Sequence, residues 1–262
     1  MRIATVKAAA VTLGVLVLSG LALAQSPAGG YLAGHEPDVL TALTPAPVPG
    51  SIRDRADRDI FRSTRALEGT PRWRLAQGDA DLSVAAVLKD FSCAAGMTLT
   101  PDNAPALAKV LRRMVPDLAA AYSGPKDHFA RPRPYLRDKG DICVPHSPAL
   151  DQGYDYPSGH ATFAWGWGLI LADLLPDRAG PILGRARAFG ESRVVCGVHS
   201  ASAIGESRSA AATLFAALQA DPGFQNDMAA ARAELAALRR SSHGPAPDVC
   251  AAETALTAKP PW

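Results

Sequence analysis

Along most of the chain, apolar residues return every three or four positions, the spacing of one helix face. Ile60, Phe61, Thr64 and Leu67 share such a face, with Gly69 as its stop. Pro71 opens the next turn with Trp73 as an anchor, and Leu82, Ala85, Ala86 and Leu88 carry the rhythm on to about Phe91. Leu107, Val110, Leu111, Met114 and Leu118 predict a helix over 104–123 that Pro116 kinks or splits. Ala161 to Leu175 is apolar nearly all round and ends at Pro176. It is too short, and too interrupted by Gly166, Gly168 and Asp173, to span a bilayer easily, so it predicts a buried central helix. Further helices are predicted over 180–191, 203–219 and 222–241, the last capped by Asp221 with Pro222 at its first position. No alternating strand pattern and no repeat interrupts this series. The expected fold class is all-α, a single compact helical domain with a buried central helix.

Two stretches break the rhythm. Residues 25–52 are rich in Pro, Gly and Ala and read as an extended N-terminal arm that lies over the domain, or as a mobile leader to it. Residues 124–157 hold many Pro, Gly, Asp and His with almost no helical period. A long irregular stretch inside a compact domain points to a site.

The first 24 residues have another character. Arg2 and Lys7 form a short positive region, Ala8 to Leu21 carries no charge, and Ala22-Leu23-Ala24 offers a small-x-small cleavage site. This pattern predicts a signal peptide over 1–24, hence a periplasmic or secreted product with no membrane association. The remaining chain divides into the arm, 25–52, and a catalytic domain, 53–262. Losing Arg2 and Lys7 from the 27 basic residues leaves a mature chain with balanced charge. No basic stripe survives, which argues against nucleic acid as a partner.

Cys93, Cys143, Cys196 and Cys250 all follow the leader. An even count in an exported chain favours two disulfides, with three pairings open. Their spacings do not resemble a zinc site. Cys143 and Cys196 lie in or beside reactive segments, so a bridge between them would brace a pocket.

Three segments concentrate the reactive side chains: Lys126 to Pro134, Tyr156 to His160, and Glu191 to His199. Arg forks onto two phosphoryl oxygens, and Lys acts as a point charge. Ser158 and Gly159 precede the central helix, so their backbone N–H groups sit at a helix N-terminus, a ready anion site. Two histidines, His160 and His199, beside three cations fit phosphoryl transfer, one as nucleophile and one as proton donor. A serine-hydrolase elbow would need Gly two residues before Ser158, where Tyr156 stands. A metal site built from His128, His146, His160 and His199 lacks ligand spacing on one helix.

The order Lys126-x6-Arg133-Pro134, Pro157-Ser158-Gly159-His160, Ser192-Arg193-x5-His199 resembles the tripartite signature of the type 2 phosphatidic acid phosphatase superfamily. Within it the chain is similar to the class A bacterial non-specific acid phosphatases from about Thr44 to Cys250. Gly69-Thr70-Pro71-Arg72-Trp73 and Cys93-Ala94-Ala95-Gly96-Met97 belong to that likeness. The resemblance implies a helical, periplasmic phosphomonoesterase of broad substrate range that uses no metal or other cofactor. Lys126, Arg133 and Arg193 would bind phosphate oxygens with Ser158 and the Gly159 amide. His199 would form a phosphohistidine, and His160 would protonate the leaving alcohol. Family members often form homo-oligomers, which the sequence neither supports nor opposes. The chain is short for the vanadate-dependent haloperoxidases, and without membrane spans a lipid phosphatase is disfavoured.

The chain departs from that family at one position. Four residues after the nucleophilic histidine the family carries an Asp that orients the imidazole, and here that residue is Ala203. Glu206 is the nearest substitute along the chain, though a solvated helix carboxylate is its simpler role. The alternative function is therefore a catalytically weak phosphate-binding relative.

Overall fold

The computed structural model describes residues 29–241 and 243–262. The expected signal peptide and the first residues of the arm lie outside the described residues. From residue 29 to Ser51 the arm crosses the domain surface and is fastened to it. The Tyr31 and Leu32 N–H groups both donate to the buried Asp117 carboxylate, at 2.8 and 3.0 Å. The Tyr31 ring packs edge-on against Phe224, takes the Arg113 guanidinium on its face, and donates its hydroxyl to Asp227. Tyr31, Leu32, Val39 and Leu43 all join the main core. Of the two readings of residues 25–52, the arm lying over the domain is the one adopted from residue 29 onward.

Among the described residues eleven α-helices follow. They are α1 (Ile52–Thr64), α2 (Pro71–Gly78), α3 (Val84–Ala95), α4 (Pro105–Arg113), α5 (Val115–Phe129), α6 (Pro148–Asp151), α7 (Gly159–Leu174), α8 (Ala179–Val195), α9 (Ala201–Leu218), α10 (Pro222–Ser241) and α11 (Pro247–Thr257). Among the described residues there is no β-strand. The capping chemistry explains many of the starts. Ser51, Thr70, Ser83, Ser158 and Ser200 each accept an N–H from the first turn of the helix they precede. Asp221 does the same for α10.

Helix α7 sits at the centre, as its all-round apolarity predicts, with α5, α8 and α9 packed against it and α4 paired with α10. Its glycines let neighbours approach. A Cβ on Gly168 would lie 2.6 Å from the Ala186 Cβ on α8, and one on Gly166 would lie 2.5 Å from Leu118 on α5. The helix predicted over 104–123 is split at Met114, one residue before the break expected from Pro116.

Three expectations need correction. Helix α5 continues to Phe129 through Pro125, so the irregular stretch begins at Ala130 and Lys126 is a helical residue. Helix α3 runs on to Ala95, beyond Phe91. Helix α11 was not foreseen: it has no buried residue and hence no apolar face to read, and a disulfide from Cys250 ties it to Cys93 on α3.

Candidate active site

The site forms where the end of α5, the start of α7 and the turn after α8 converge. Helix α5 ends with Ala130 in the left-handed region at φ 45°. That conformation strains a Cβ-bearing residue and turns the chain sharply out of the helix. Lys126, in the last turn before it, lies 5.3 Å from the Tyr122 ring centroid. After the turn Arg133 sits on extended backbone. Its Nη1 donates to the Val198 carbonyl at 2.8 Å and its Nε to the Gly153 carbonyl at 3.2 Å.

Helix α8 supplies Arg193, and the turn that ends it supplies His199. The Arg193 carbonyl accepts the N–H of both Val198 and His199. Gly197, at φ 79°, makes this return possible, and a Cβ there would also lie 2.6 Å from the Arg65 guanidinium. Cys196, inside the same turn, is bridged to Cys143, and the Cys143 N–H donates to the Cys196 carbonyl. Of the three open pairings, the chain adopts Cys93–Cys250 and Cys143–Cys196. The second closes a loop of 53 residues onto the turn between Arg193 and His199. Replacing Cys143 and Cys196 by Ser is expected to cost about 4 kcal/mol, the chain-entropy value for such a loop. Chemical denaturation reads that loss, and turnover should fall with it.

At the start of α7, Ser158 is fully buried and its Oγ caps the helix through the Ala161 N–H. Its own N–H is taken by Ser207 Oγ at 2.9 Å. This corrects the expectation that both the Ser158 and Gly159 amides face an anion: Ser207 on α9 reaches the first of them. The Gly159 amide has no hydrogen-bond partner among the described residues. The Tyr122 ring lies where a side chain on Gly159 would begin, 3.0 Å from its Cβ position. His160 follows and is half-buried, with Nε2 3.2 Å from the Ala80 carbonyl. That contact places a proton on Nε2 and leaves Nδ1 as the titrating atom.

Among the described residues, none of Lys126, Arg133 and Arg193 has a carboxylate within 4.0 Å. Arg193 is 2% exposed, and its Nε has no partner among the described residues. Its other contacts are long, 3.4 Å to the Ala76 carbonyl and 3.5 Å to Cys196 Sγ. Burial pushes its guanidinium down to about 10, against a rise from the charge of Asp79. Burial and the charge of Arg133 push the Lys126 ammonium down to about 8. Three converging cations without counter-charges make an anion site.

Lys126 gives a pH test with a definite sign. Its charge is complete below about pH 8 and lost above it, so anion affinity should weaken as pH rises through that value. The phosphate-induced rise in melting temperature, measured from pH 7 to 9, should shrink above pH 8, and far less so in Lys126→Arg, because Arg193 loses its charge only near pH 10.

His199 is 3% exposed and sits between opposite fields. Its Nε2 is 3.0 Å from Arg133 Nη1. A guanidinium has no lone pair, so Nε2 accepts and the proton is on Nδ1. Nδ1 is 2.7 Å from the peptide carbonyl of Asp155 and 3.1 Å from its carboxylate Oδ1. Burial, then the charges of Arg133, Lys126 and Arg193, push the His199 imidazolium well below the usual range. Burial, then Arg193, does the same to His160.

Asp155 and the cluster behind it escaped the sequence reading. Asp155 is 1% exposed, accepts the Ser200 N–H at 2.9 Å and hydroxyl at 2.6 Å, and faces Arg131 at 3.2 Å. Arg131 also meets Asp57 at 2.9 Å and Asp54 at 3.2 Å. Glu206, the nearest candidate in sequence for orienting His199, instead accepts the Thr44 N–H of the arm at 3.0 Å.

Comparison with known proteins shows the family. A family model described as PAP2 superfamily matches residues 107–222. An acid phosphatase of Zymomonas mobilis subsp. mobilis is 41% identical over 217 residues, covering 82% of both chains. A non-specific acid phosphatase of Providencia stuartii is 33% identical over 205 residues, 78% of this chain and 83% of the relative. One of Salmonella typhimurium is 32% identical over 196 residues, 74% of this chain and 78% of the relative. With relatives of this identity and coverage around such an anion site, the chain belongs to the acid phosphatases of the PAP2 superfamily.

Proposed function

We propose that the protein hydrolyses small phosphate monoesters through a covalent phosphohistidine on His199. The observation that carries this reading is the set of three cations without carboxylate partners among the described residues, two of them buried, arranged around an imidazole whose Nε2 lone pair faces Arg133. Lys126, Arg133 and Arg193 hold the phosphoryl oxygens with the Gly159 amide and the Ser158 hydroxyl. Arg133, which in the free protein covers His199 Nε2, turns its N–H to a phosphate oxygen and uncovers the nucleophile. Nε2 bonds to phosphorus as the ester P–O bond breaks, and His160, which takes up a proton on Nδ1 once the bound phosphate offsets the charge of Arg193, gives that proton to the leaving oxygen. Water then attacks phosphorus, His160 takes its proton, and the N–P bond breaks. The cations balance the transition-state charge, a role that metal ions fill in other phosphatases.

Export of the chain into a periplasm or the medium fits the leader-like first 24 residues and the two disulfides. Among the described residues no helix is long and apolar enough to cross a membrane. Self-assembly is a further proposal from the family likeness, read by light scattering.

The test is release of p-nitrophenol from p-nitrophenyl phosphate by the purified, oxidised protein at mildly acidic pH. Turnover unaffected by EDTA is the expected result, and no turnover defeats the proposal. A second reading is motivated by Ala203: a phosphate binder of weak turnover, with vanadate affinity dependent on Arg133 and Arg193 and activity raised by Ala203→Asp. Ordinary enzymatic rates in the native protein would exclude it.

A further inference from the structure

His199 has its two nitrogens in different electrostatic surroundings. On the Nε2 side stand the three cations of the anion site. On the Nδ1 side lies a buried cluster in which Asp54, Asp57 and Asp155 surround Arg131, with Arg137 closing on Asp54 at 2.7 Å. Asp138, paired with Arg58 and Arg62 at 2.8 and 2.9 Å, adjoins this cluster. The acceptors on the Nδ1 side and the Arg133 donor on the Nε2 side pin the imidazole proton on Nδ1.

From this arrangement we infer that Asp155 is the positioning carboxylate of the reaction, acting from the chain before α7 in place of a carboxylate at residue 203. This rests on the phosphohistidine reading of His199. Asp155 acts through two groups. Its peptide carbonyl, at 2.7 Å, fixes the Nδ1–H tautomer, and its Oδ1, at 3.1 Å, balances the charge that the ring acquires when Nε2 bonds to phosphorus. In that step the Nε2 lone pair becomes the N–P bond, and the ester oxygen leaves with the P–O pair and a proton from His160. The ring is left cationic with its Nδ1–H still directed at Asp155.

Burial pushes the Asp155 carboxyl up from the usual range, and its hydrogen-bond donors oppose that rise. Arg131 and the Ser200 N–H and hydroxyl all donate to its carboxylate. Ser200 also caps α9 through the Ala203 N–H, so the carboxylate is registered against the helix that carries residue 203. Ala203 is fully buried. An Asp there would bury another carboxylate without adding to an imidazole that is already oriented.

Asp155→Asn separates the two roles, because it keeps the peptide carbonyl and removes the charge. The expected result is a fall in kcat of roughly 10²–10⁴-fold, the upper figure being that of the corresponding change in a serine-protease triad. KM and the phosphate inhibition constant should stay within about threefold, because the cations that bind the ground state are untouched. A purely structural role would instead degrade binding and turnover together. Ala203→Asp in the native background should give no gain in kcat. Native kcat in the Asn variant overturns the proposal, and so does a gain of about tenfold or more from Ala203→Asp. If the Asn variant does not hold phosphate, the Ala203→Asp measurement decides alone. His199→Ala, assayed in parallel, separates the two readings: full turnover there defeats the phosphohistidine reading itself, independently of Asp155.

Discussion

His199→Ala is expected to lower kcat for p-nitrophenyl phosphate by at least about 10⁴-fold, the scale seen when a nucleophile is removed from a covalent mechanism. Phosphate binding should survive, because Lys126, Arg133 and Arg193 each have backbone or ring contacts independent of the imidazole. The substitution leaves Asp155 without the Nδ1–H, but Arg131 and Ser200 still donate to that carboxylate. The loss should therefore appear in turnover, with a phosphate-induced rise in melting temperature that matches the native protein. Loss of turnover together with loss of the phosphate response would mean that His199 shapes the pocket and does no chemistry.

Arg193→Met is expected to act in two opposite directions. Arg193 is buried, has long and indirect contacts, and has no carboxylate partner among the described residues. Without an anion, such a charge opposes folding, and a similarly sized apolar side chain removes the penalty. The ligand-free variant should be more stable by about 1–3 kcal/mol, read by chemical denaturation. Turnover should fall by about 10²–10³-fold or more, the scale for removing one donor to a transition-state oxygen, and phosphate should no longer raise the melting temperature. A variant that is both less stable and fully active would show that the guanidinium serves the fold alone.

Much of this architecture is legible in the chain because it rests on local signals. Helix α7 announces itself through apolar residues on every face, and its start through Ser158. The seven pocket residues are legible because the three short segments carry them at fixed spacing, and the Gly197 turn then brings Arg193 and His199 together. What could not be read is long-range. Asp155 is 44 residues from His199 in sequence, and Arg131 is 77 from Asp54. Nothing in a one-dimensional pattern distinguishes these buried charges from solvated ones. One signal was available for Asp155: it stands three residues before Ser158, immediately ahead of the segment Tyr156 to His160. Lys126 falls at the start of the stretch that lacks a helical period, whereas helix α5 runs through Pro125 to Phe129. Helix α11 has no apolar stripe, since a disulfide and polar contacts from Arg185 and Arg187 hold it to the domain.

The central claim is a phosphoryl group passing through His199 Nε2. Rapid mixing of the enzyme with p-nitrophenyl phosphate, an alkaline quench that preserves phosphoramidates, and peptide mapping by mass spectrometry test it most directly. The account predicts one phosphorylated peptide, the one containing His199, formed and lost at rates compatible with turnover. Phosphate carried by His160 or Ser158, or turnover with no phosphorylated peptide at any time point, would contradict it.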